Sequence, residues 1–233
     1  MSKLVIAVDG ESASGKSTVC DVLARKLNIN HLSSGALYRA ITLYCLENNF
    51  DCNLFLNENF DVKSILKNIK ISVVFEDFVQ KIILNNEDVT EKLNTNEISN
   101  NACKVSQNIS VRDFVKNIQL NLAKNGGIII DGRDITSVVL KDCKNRFYIT
   151  ASLETRAERR YLQYNKKIAL SKIMNDLKTR DEQDKTRKIA PLKIVEGVKV
   201  IDNSHLSISQ TADEIIKNLK NWNFVTNLFN LFI

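Results

Sequence analysis

The chain has 233 residues, 44% of them hydrophobic and 26% charged, a balance that excludes a wholly disordered polymer and is long enough to bury one sizeable core. One Pro and seven Gly exclude collagen-like or Gly/Pro-rich low-complexity architecture, and no apolar run reaches the roughly 18–20 residues needed to cross a bilayer. The net charge of +6 favours anionic partners, whether nucleotides, phosphates or nucleic acid.

Residues 4–8 form a short apolar run closed by Asp9-Gly10, which suits a buried parallel strand. From Ser17 the period changes: Val19, Val22, Leu23 and Leu27 mark one face of a helix. A second helix is predicted over residues 36–47. The stretch 53–101 is polar and Asn-rich, but two β-prone runs, 71–76 and 79–84, flank Asp77-Phe78 and predict a hairpin in an inserted subdomain.

Val111, Phe114, Val115, Ile118 and Leu122 predict an amphipathic helix stopped by Asn125-Gly126-Gly127. Ile128-Ile129-Ile130 follows as a buried strand ending in Asp131. Further strands are expected at 146–150 and 198–201, with helices near 154–163, 171–179 and 207–219. Strands alternating with helices predict an α/β fold with a parallel sheet covered on both faces. The last twelve residues, from Trp222 to Ile233, hold eight apolar side chains. They are expected to form a terminal helix packed on the core, with a dimer contact or a surface-binding segment as alternatives.

The N-terminal apolar run is too short for a signal peptide, so a soluble cytoplasmic protein is expected. Cys20, Cys45, Cys52, Cys103 and Cys143 contain no C-x-x-C pair and, with His31 and His205, no zinc-ligand spacing; reduced thiols are expected.

Residues Gly10-Glu11-Ser12-Ala13-Ser14-Gly15-Lys16-Ser17 match G-x-x-x-x-G-K-[ST] at every fixed position. A loop with Gly at both ends can curl so that successive N–H groups face phosphate oxygens. Lys16 would reach the β- and γ-phosphates, the Ser17 hydroxyl would ligate Mg²⁺, and the following helix would aim its positive end at the same anion. The motif sits between a predicted strand and a predicted helix, so nucleoside triphosphate binding is expected through Gly10, Glu11, Ser12, Ala13, Ser14, Gly15, Lys16, Ser17 and Thr18.

The acceptor must be sought elsewhere. Ser33-Ser34-Gly35-Ala36-Leu37-Tyr38-Arg39 is a small loop entering a helix with an Arg one turn inside, suited to a second anion. Asp131-Gly132-Arg133-Asp134 follows a buried strand, and the carboxyl ends of parallel strands face the ligand crevice. Arg156, Arg159 and Arg160 share one helix face, and Arg180 to Arg187 carries ions at helical spacing before Ala190-Pro191-Leu192. Alone, the first segment also reads as a capped helix with a surface Arg, and either of the last two as a solvated charged face; four of them beside a phosphate loop read as a phosphate-handling site.

These blocks resemble the bacterial cytidylate kinases, P-loop nucleoside monophosphate kinases, over roughly residues 3–220. The resemblance is carried by Ser34 to Arg39, by Asp131 to Asp134, and by Arg180-Asp181 through Asp184 and Arg187 to Leu192. Glu87-Asp88-Val89-Thr90 resembles part of the bacterial monophosphate-binding insert. It implies a three-layer α/β/α P-loop NTPase fold in one domain, 1–220, with an insert at about 36–108, a lid at about 155–170 and a separate tail, 221–233. It also implies ATP-dependent, Mg²⁺-assisted phosphorylation of CMP and dCMP by a protein without nucleic-acid or membrane partners. A monomer is expected, a tail-mediated dimer being the alternative.

Residue by residue, the resemblance makes Ser34, Arg39, Arg112, Asp134, Arg180, Asp184 and Arg187 the CMP site. Arg39, Arg133, Arg180 and Arg187 would contact phosphates, Asp134 the pentose, and Arg112 and Asp184 the cytosine. Lys16, Arg133, Arg180 and Arg187 would supply catalytic charge, Arg156, Arg159 and Arg160 would close over ATP, and Ser17 and Asp131 would serve the metal. The base assignment has its own chemistry. Cytosine offers an N4 donor beside N3 and O2 acceptors, matching a carboxylate and a guanidinium. Uracil opposes both contacts, a buried mismatch of roughly 2–5 kcal/mol.

Three positions depart from the family pattern. Ser33 replaces a usual Asp, Cys103 stands where a Ser hydroxyl helps hold cytosine, and Glu11 replaces a Pro in the loop; together they are expected to weaken affinity or relax the choice of C over U. Rival readings are another small-molecule P-loop kinase, acting on a different monophosphate or on a metabolite such as shikimate or dephospho-coenzyme A, and a nucleic-acid-binding module. The second is disfavoured because lysines are dispersed and aromatics are not interleaved with basic residues.

Overall fold

The computed structural model describes residues 4–57 and 59–220; the apolar tail from Trp222, and the expectations attached to it, lie outside the described residues. Strands β1 (Val5–Asp9), β2 (Asn30–Ser33), β6 (Ile128–Gly132), β7 (Asn145–Thr150) and β8 (Lys199–Asp202) pair in parallel in the order β2-β6-β1-β7-β8. The expected hairpin is present as β3 (Ile71–Glu76) and β4 (Val79–Leu84), antiparallel to each other. It extends the core sheet: β4 lies beside β2 through one register pair, His31 with Val79, and the two-residue β5 (Glu87–Asp88) pairs with β4.

Side-chain alternation divides the core in two, because successive residues of a strand point to opposite faces. Ala7, Leu32, Ile128 and Ile130 pack on one side with α2 (Ser34–Glu47), α4 (Asn96–Val105) and α5 (Ile109–Lys124). Ile6, Val8, Ile129, Phe147, Ile149 and Ile201 pack on the other with α1 (Lys16–Leu27) and α8 (Ile208–Lys217). Each fully buried Ile or Leu contributes about 1.5–3 kcal/mol by leaving water. A third, smaller cluster of Ala157, Ile173 and Leu177 joins α6 (Leu153–Gln163) to α7 (Leu170–Thr186). A short helix, α3 (Val62–Leu66), packs against α5.

Four sequence expectations change. β2 was not foreseen, because Asn30-His31-Leu32-Ser33 is four residues long with a polar residue at each end. Helix α2 starts at Ser34, so the small loop is already its first turn. Helix α4 occupies a stretch that reads as polar; Thr95 caps it by accepting from Ile98 N–H, and Ile98 and Val105 are its buried anchors. Helix α7 continues to Thr186, placing Arg180, Asp181 and Asp184 on one continuous helix.

Candidate active site

The phosphate loop spans the turn from β1 to α1. Two glycines make the turn. A Cβ on Gly10 would stand 2.0 Å from the Ile149 carbonyl oxygen, and Gly15 caps α1 at φ +82°, a left-handed conformation. Lys16 donates from Nζ to the Glu11 carbonyl at 2.9 Å. Burial and neighbouring Arg133 lower its pKa to about 8.

Three elements brace the loop from behind. Ser12 N–H donates to Asp181 on α7 at 3.3 Å, while buried Arg156 on α6 donates to the carbonyls of Ser12 and Ala151 and pairs with Asp181. Arg159 reaches the Ser14 carbonyl at 3.4 Å and both oxygens of Asn203, whose Nδ2 also donates to Ser14 O at 2.9 Å. Arg160 stands apart, its guanidinium 5.6 Å from the Tyr164 ring. The three arginines expected to act together thus make different contacts: two grip the loop backbone, and one lies over an aromatic ring.

Asp131 lies near the end of β6, beside the loop. Its Oδ2 accepts from Ser17 Oγ at 2.6 Å, and its backbone carbonyl accepts from Ser34 Oγ. Burial would raise the Asp131 carboxyl, but His31, Lys16 and Ser17 together hold it well below the usual carboxylate range. Burial would lower His31, but Asp131 and Asp21, facing its two ring nitrogens, push it up to about 9. Ser17 and Asp131 form a pair of oxygen donors, the donor chemistry that suits Mg²⁺. Cys20 also lies close to His31 and Asp131, an approach that sequence spacing does not reveal. Burial and the Asp131 charge push its thiol well above its ordinary range, so it sits there as a neutral wall and not as a thiolate ligand.

Asp9 is the last residue of β1, as Asp131 is the last but one of β6. It is fully buried and accepts from Ile135 N–H, Thr136 N–H and Thr136 Oγ1, fixing the turn that follows Asp134. Burial outweighs those three donors and raises its pKa to about 6.

A chain of alternating charge continues from the loop. Arg133 donates to Ser12 Oγ at 3.0 Å and, through Nε, to Asp184 on α7 at 2.8 Å. Arg187 lies 3.8 Å from both Asp184 and Asp134, and Arg112 on α5 pairs with Asp134 and covers the Tyr38 ring at 5.7 Å. Burial would raise Asp184, but Arg133 and Arg187 hold it low. Burial, with Arg112 nearby, lowers Arg187, whose Nη2 has no hydrogen-bond partner. Cys103, Ser106 and Gln107 line a crevice with Gln183, Asp184 and Arg187. Arg39 donates to Gly35 O and Asn94 Oδ1. Arg180 lowers Arg39 electrostatically, though burial is the larger cause. Arg180 itself makes no ion pair within the described residues.

The structure therefore gathers Lys16, Ser17, Ser34, Asp131, Arg133, Asp134, Asp184, Arg187 and Arg112 at the carboxyl ends of the parallel strands. Sequence reasoning missed Asp9, His31, Asp181 and Asn203. Asp9 carried the same signal as Asp131, an acid ending an apolar run, and Asp181 lay inside a run already singled out; Asn203 and His31 carried none. A cavity of about 360 Å³ lies at the other end of the strands, lined by Leu4, Asn28, Ile29, Asn30, Gly126 and Gly127. It holds no titratable side chain.

A parallel core whose first strand runs through a glycine-bounded anion loop into a helix is the P-loop nucleoside triphosphatase fold. The cytidylate kinase family model matches residues 6–221. A cytidylate kinase of Mycoplasma capricolum is 40% identical over 94% of this chain and 97% of its own length. Those of Caldicellulosiruptor saccharolyticus and Bacillus subtilis are 37% and 36% identical, covering 93% and 92% of this chain and 96% of their own lengths. Among solved structures, a shikimate kinase from Bacteroides thetaiotaomicron aligns with a TM-score of 0.44 at 9% identity, over 92% of this chain and 97% of that one. The chain belongs to the cytidylate kinase family, and it is by that membership a nucleoside monophosphate kinase.

Proposed function

We propose that the chain transfers the γ-phosphoryl group of ATP to CMP and dCMP. A CMP phosphate oxygen attacks the γ-phosphorus as the bond to the β,γ-bridging oxygen breaks, giving CDP or dCDP and ADP. The observation that carries this reading is the alternating chain Arg133–Asp184–Arg187–Asp134–Arg112 beside the phosphate loop. A monophosphate entering there would take guanidinium donors from the carboxylates, and its base would meet Arg112 and Asp184. The attacking phosphate is already an anion, so no protein base is required. Positioning and charge neutralisation supply the catalysis.

In this reading Lys16 leaves the Glu11 carbonyl for the β- and γ-phosphates, and Arg133, Arg180 and Arg187 converge on the transferring group. Arg39 and Ser34 hold the acceptor phosphate, and Asp134 accepts from the pentose. Arg156 and Arg159 act by holding the loop that cradles ATP, and Arg160 would leave the Tyr164 ring to meet the nucleotide. Mg²⁺ held at Ser17 and Asp131 would neutralise charge on the β- and γ-phosphates. The working molecule is taken to be a cytoplasmic monomer, with no helix of the described residues long and apolar enough to cross a membrane.

The test is a coupled ADP-release assay with ATP and Mg²⁺, comparing CMP, dCMP, UMP, AMP and shikimate. Turnover confined to CMP and dCMP is expected. Equal turnover with UMP would show a relaxed base pocket, and silence with every pyrimidine monophosphate would overturn the proposal.

A further inference from the structure

His31 does not belong to any motif that identifies the site, yet it is the buried link between α1, the end of β6 and the hairpin. Its side chain is 4% exposed. Nδ1 is 2.7 Å from Asp21 Oδ1 on α1, and since an ionised carboxylate only accepts, Nδ1 carries the proton of that bond. The ring is thereby fixed with Nε2 facing Asp131 Oδ2 at 3.7 Å, an ion-pair distance longer than a hydrogen bond, and Nε2 has no hydrogen-bond partner among the described residues. Asp131 Oδ2 is the same oxygen that accepts from Ser17 at 2.6 Å. The register explains the alignment: β2 pairs with β6 so that His31 stands opposite Ile129 and Ser33 opposite Asp131, which puts both side chains on the α1 face. The His31 backbone N–H is also engaged, donating to the Phe78 carbonyl in the hairpin turn at 3.0 Å.

We propose that His31 is a positioning residue for the metal-bearing carboxylate: anchored by Asp21, it fixes the rotamer of Asp131 so that Oδ2 stays aimed at Ser17 and the phosphates. The inference rests on the reading of Ser17 and Asp131 as the metal-holding pair. Outer partners of this kind orient the groups nearest a metal, and their removal lowers metal affinity by about 10–100-fold. Among the described residues the Asp131 carboxylate is otherwise held by Ser17 Oγ, with Cys20 close to both His31 and Asp131.

The experiment measures Mn²⁺ binding by electron paramagnetic resonance to the full chain loaded with a non-hydrolysable ATP analogue. Wild type is compared with His31→Phe, which fills the site without nitrogens, and His31→Gln, which retains an N–H to offer Asp131. CMP affinity and the melting midpoint are measured on the same samples. His31→Phe is expected to weaken Mn²⁺ binding about tenfold with CMP affinity unchanged, and His31→Gln to recover part of the loss. Asp21→Ala, on the half-exposed partner, covers the case in which His31→Phe does not fold, and is expected to weaken Mn²⁺ binding about threefold. Unchanged Mn²⁺ affinity in the folded variants overturns the inference, as does a parallel fall in melting midpoint, CMP affinity and Mn²⁺ affinity. A wild-type complex that binds Mn²⁺ no better than the free nucleotide would instead sink the Ser17–Asp131 reading, and the inference with it.

Discussion

Asp184 accepts from Nε of Arg133 at 2.8 Å, so one ion pair ties helix α7 to the end of the central strand β6. Both partners are largely covered, with side chains 17% and 26% exposed. Replacing Asp184 with Ala frees Arg133 and leaves Arg187 short of one carboxylate. The expected stability loss is about 2 kcal/mol, from a charge-assisted hydrogen bond, read by urea unfolding. The same variant should raise KM for CMP while leaving KM for ATP within a factor of about two, because Asp184 would read the base. Equal changes in both constants would mean that Asp184 acts only through the fold.

Lys16→Met removes the loop cation that, in the proposed reading, reaches the β- and γ-phosphates. Loss of one such preorganised donor lowers kcat by about 10²–10³-fold. Steady-state ADP release at saturating CMP checks this, with circular dichroism to show that the variant is folded.

Arg156 is buried and holds both the Ser12 carbonyl and Asp181. Arg156→Met strands the Asp181 carboxylate, which costs about 3–5 kcal/mol when one partner of a buried pair is removed. For a chain of this size that lowers the melting midpoint on the order of 10 °C. Bound ATP analogue should restore part of the midpoint if the loop still closes on phosphates. A midpoint within a degree of wild type would show that the pair is dispensable.

Asp9 gives a pH signature. Its native pKa, about 6, lies above the unstructured value of 3.8, so between these limits the native state holds a proton that the unfolded state has released. Stability from this group is therefore full below about pH 4 and is lost as the pH rises through 6, by roughly 2–3 kcal/mol. Asp9→Asn has no such term. The stability advantage of wild type over the variant should shrink between pH 4 and 6 in urea titrations; a constant difference would show that Asp9 ionises normally.

Much of this site was legible because its chemistry is written in contiguous residues. The phosphate loop, the Asp131–Asp134 block and the Arg180–Arg187 run each announce charge beside an apolar strand or on a helical period. The strands β1, β3, β4 and β7 were foreseen within a residue because each carries a run of apolar or β-prone side chains. What stayed hidden depends on tertiary approach. β2 has only Leu32 as an apolar residue, and His31 becomes informative only once Asp21 and Asp131 are seen on either side of it. The helical spacing of Arg156, Arg159 and Arg160 was visible, but not that Arg156 would be buried under the loop, since periodicity fixes a face and not the neighbour that covers it.

The 2.0 Å separation between a hypothetical Cβ on Gly10 and the Ile149 carbonyl also bears on how this chain can change by mutation. Every amino acid reachable from a glycine codon by one nucleotide change carries a Cβ, and the obstructing atom is backbone on a neighbouring strand that no rotamer can move aside. Every change at this codon that alters the amino acid is therefore opposed by the same backbone atom, and only silent changes remain open.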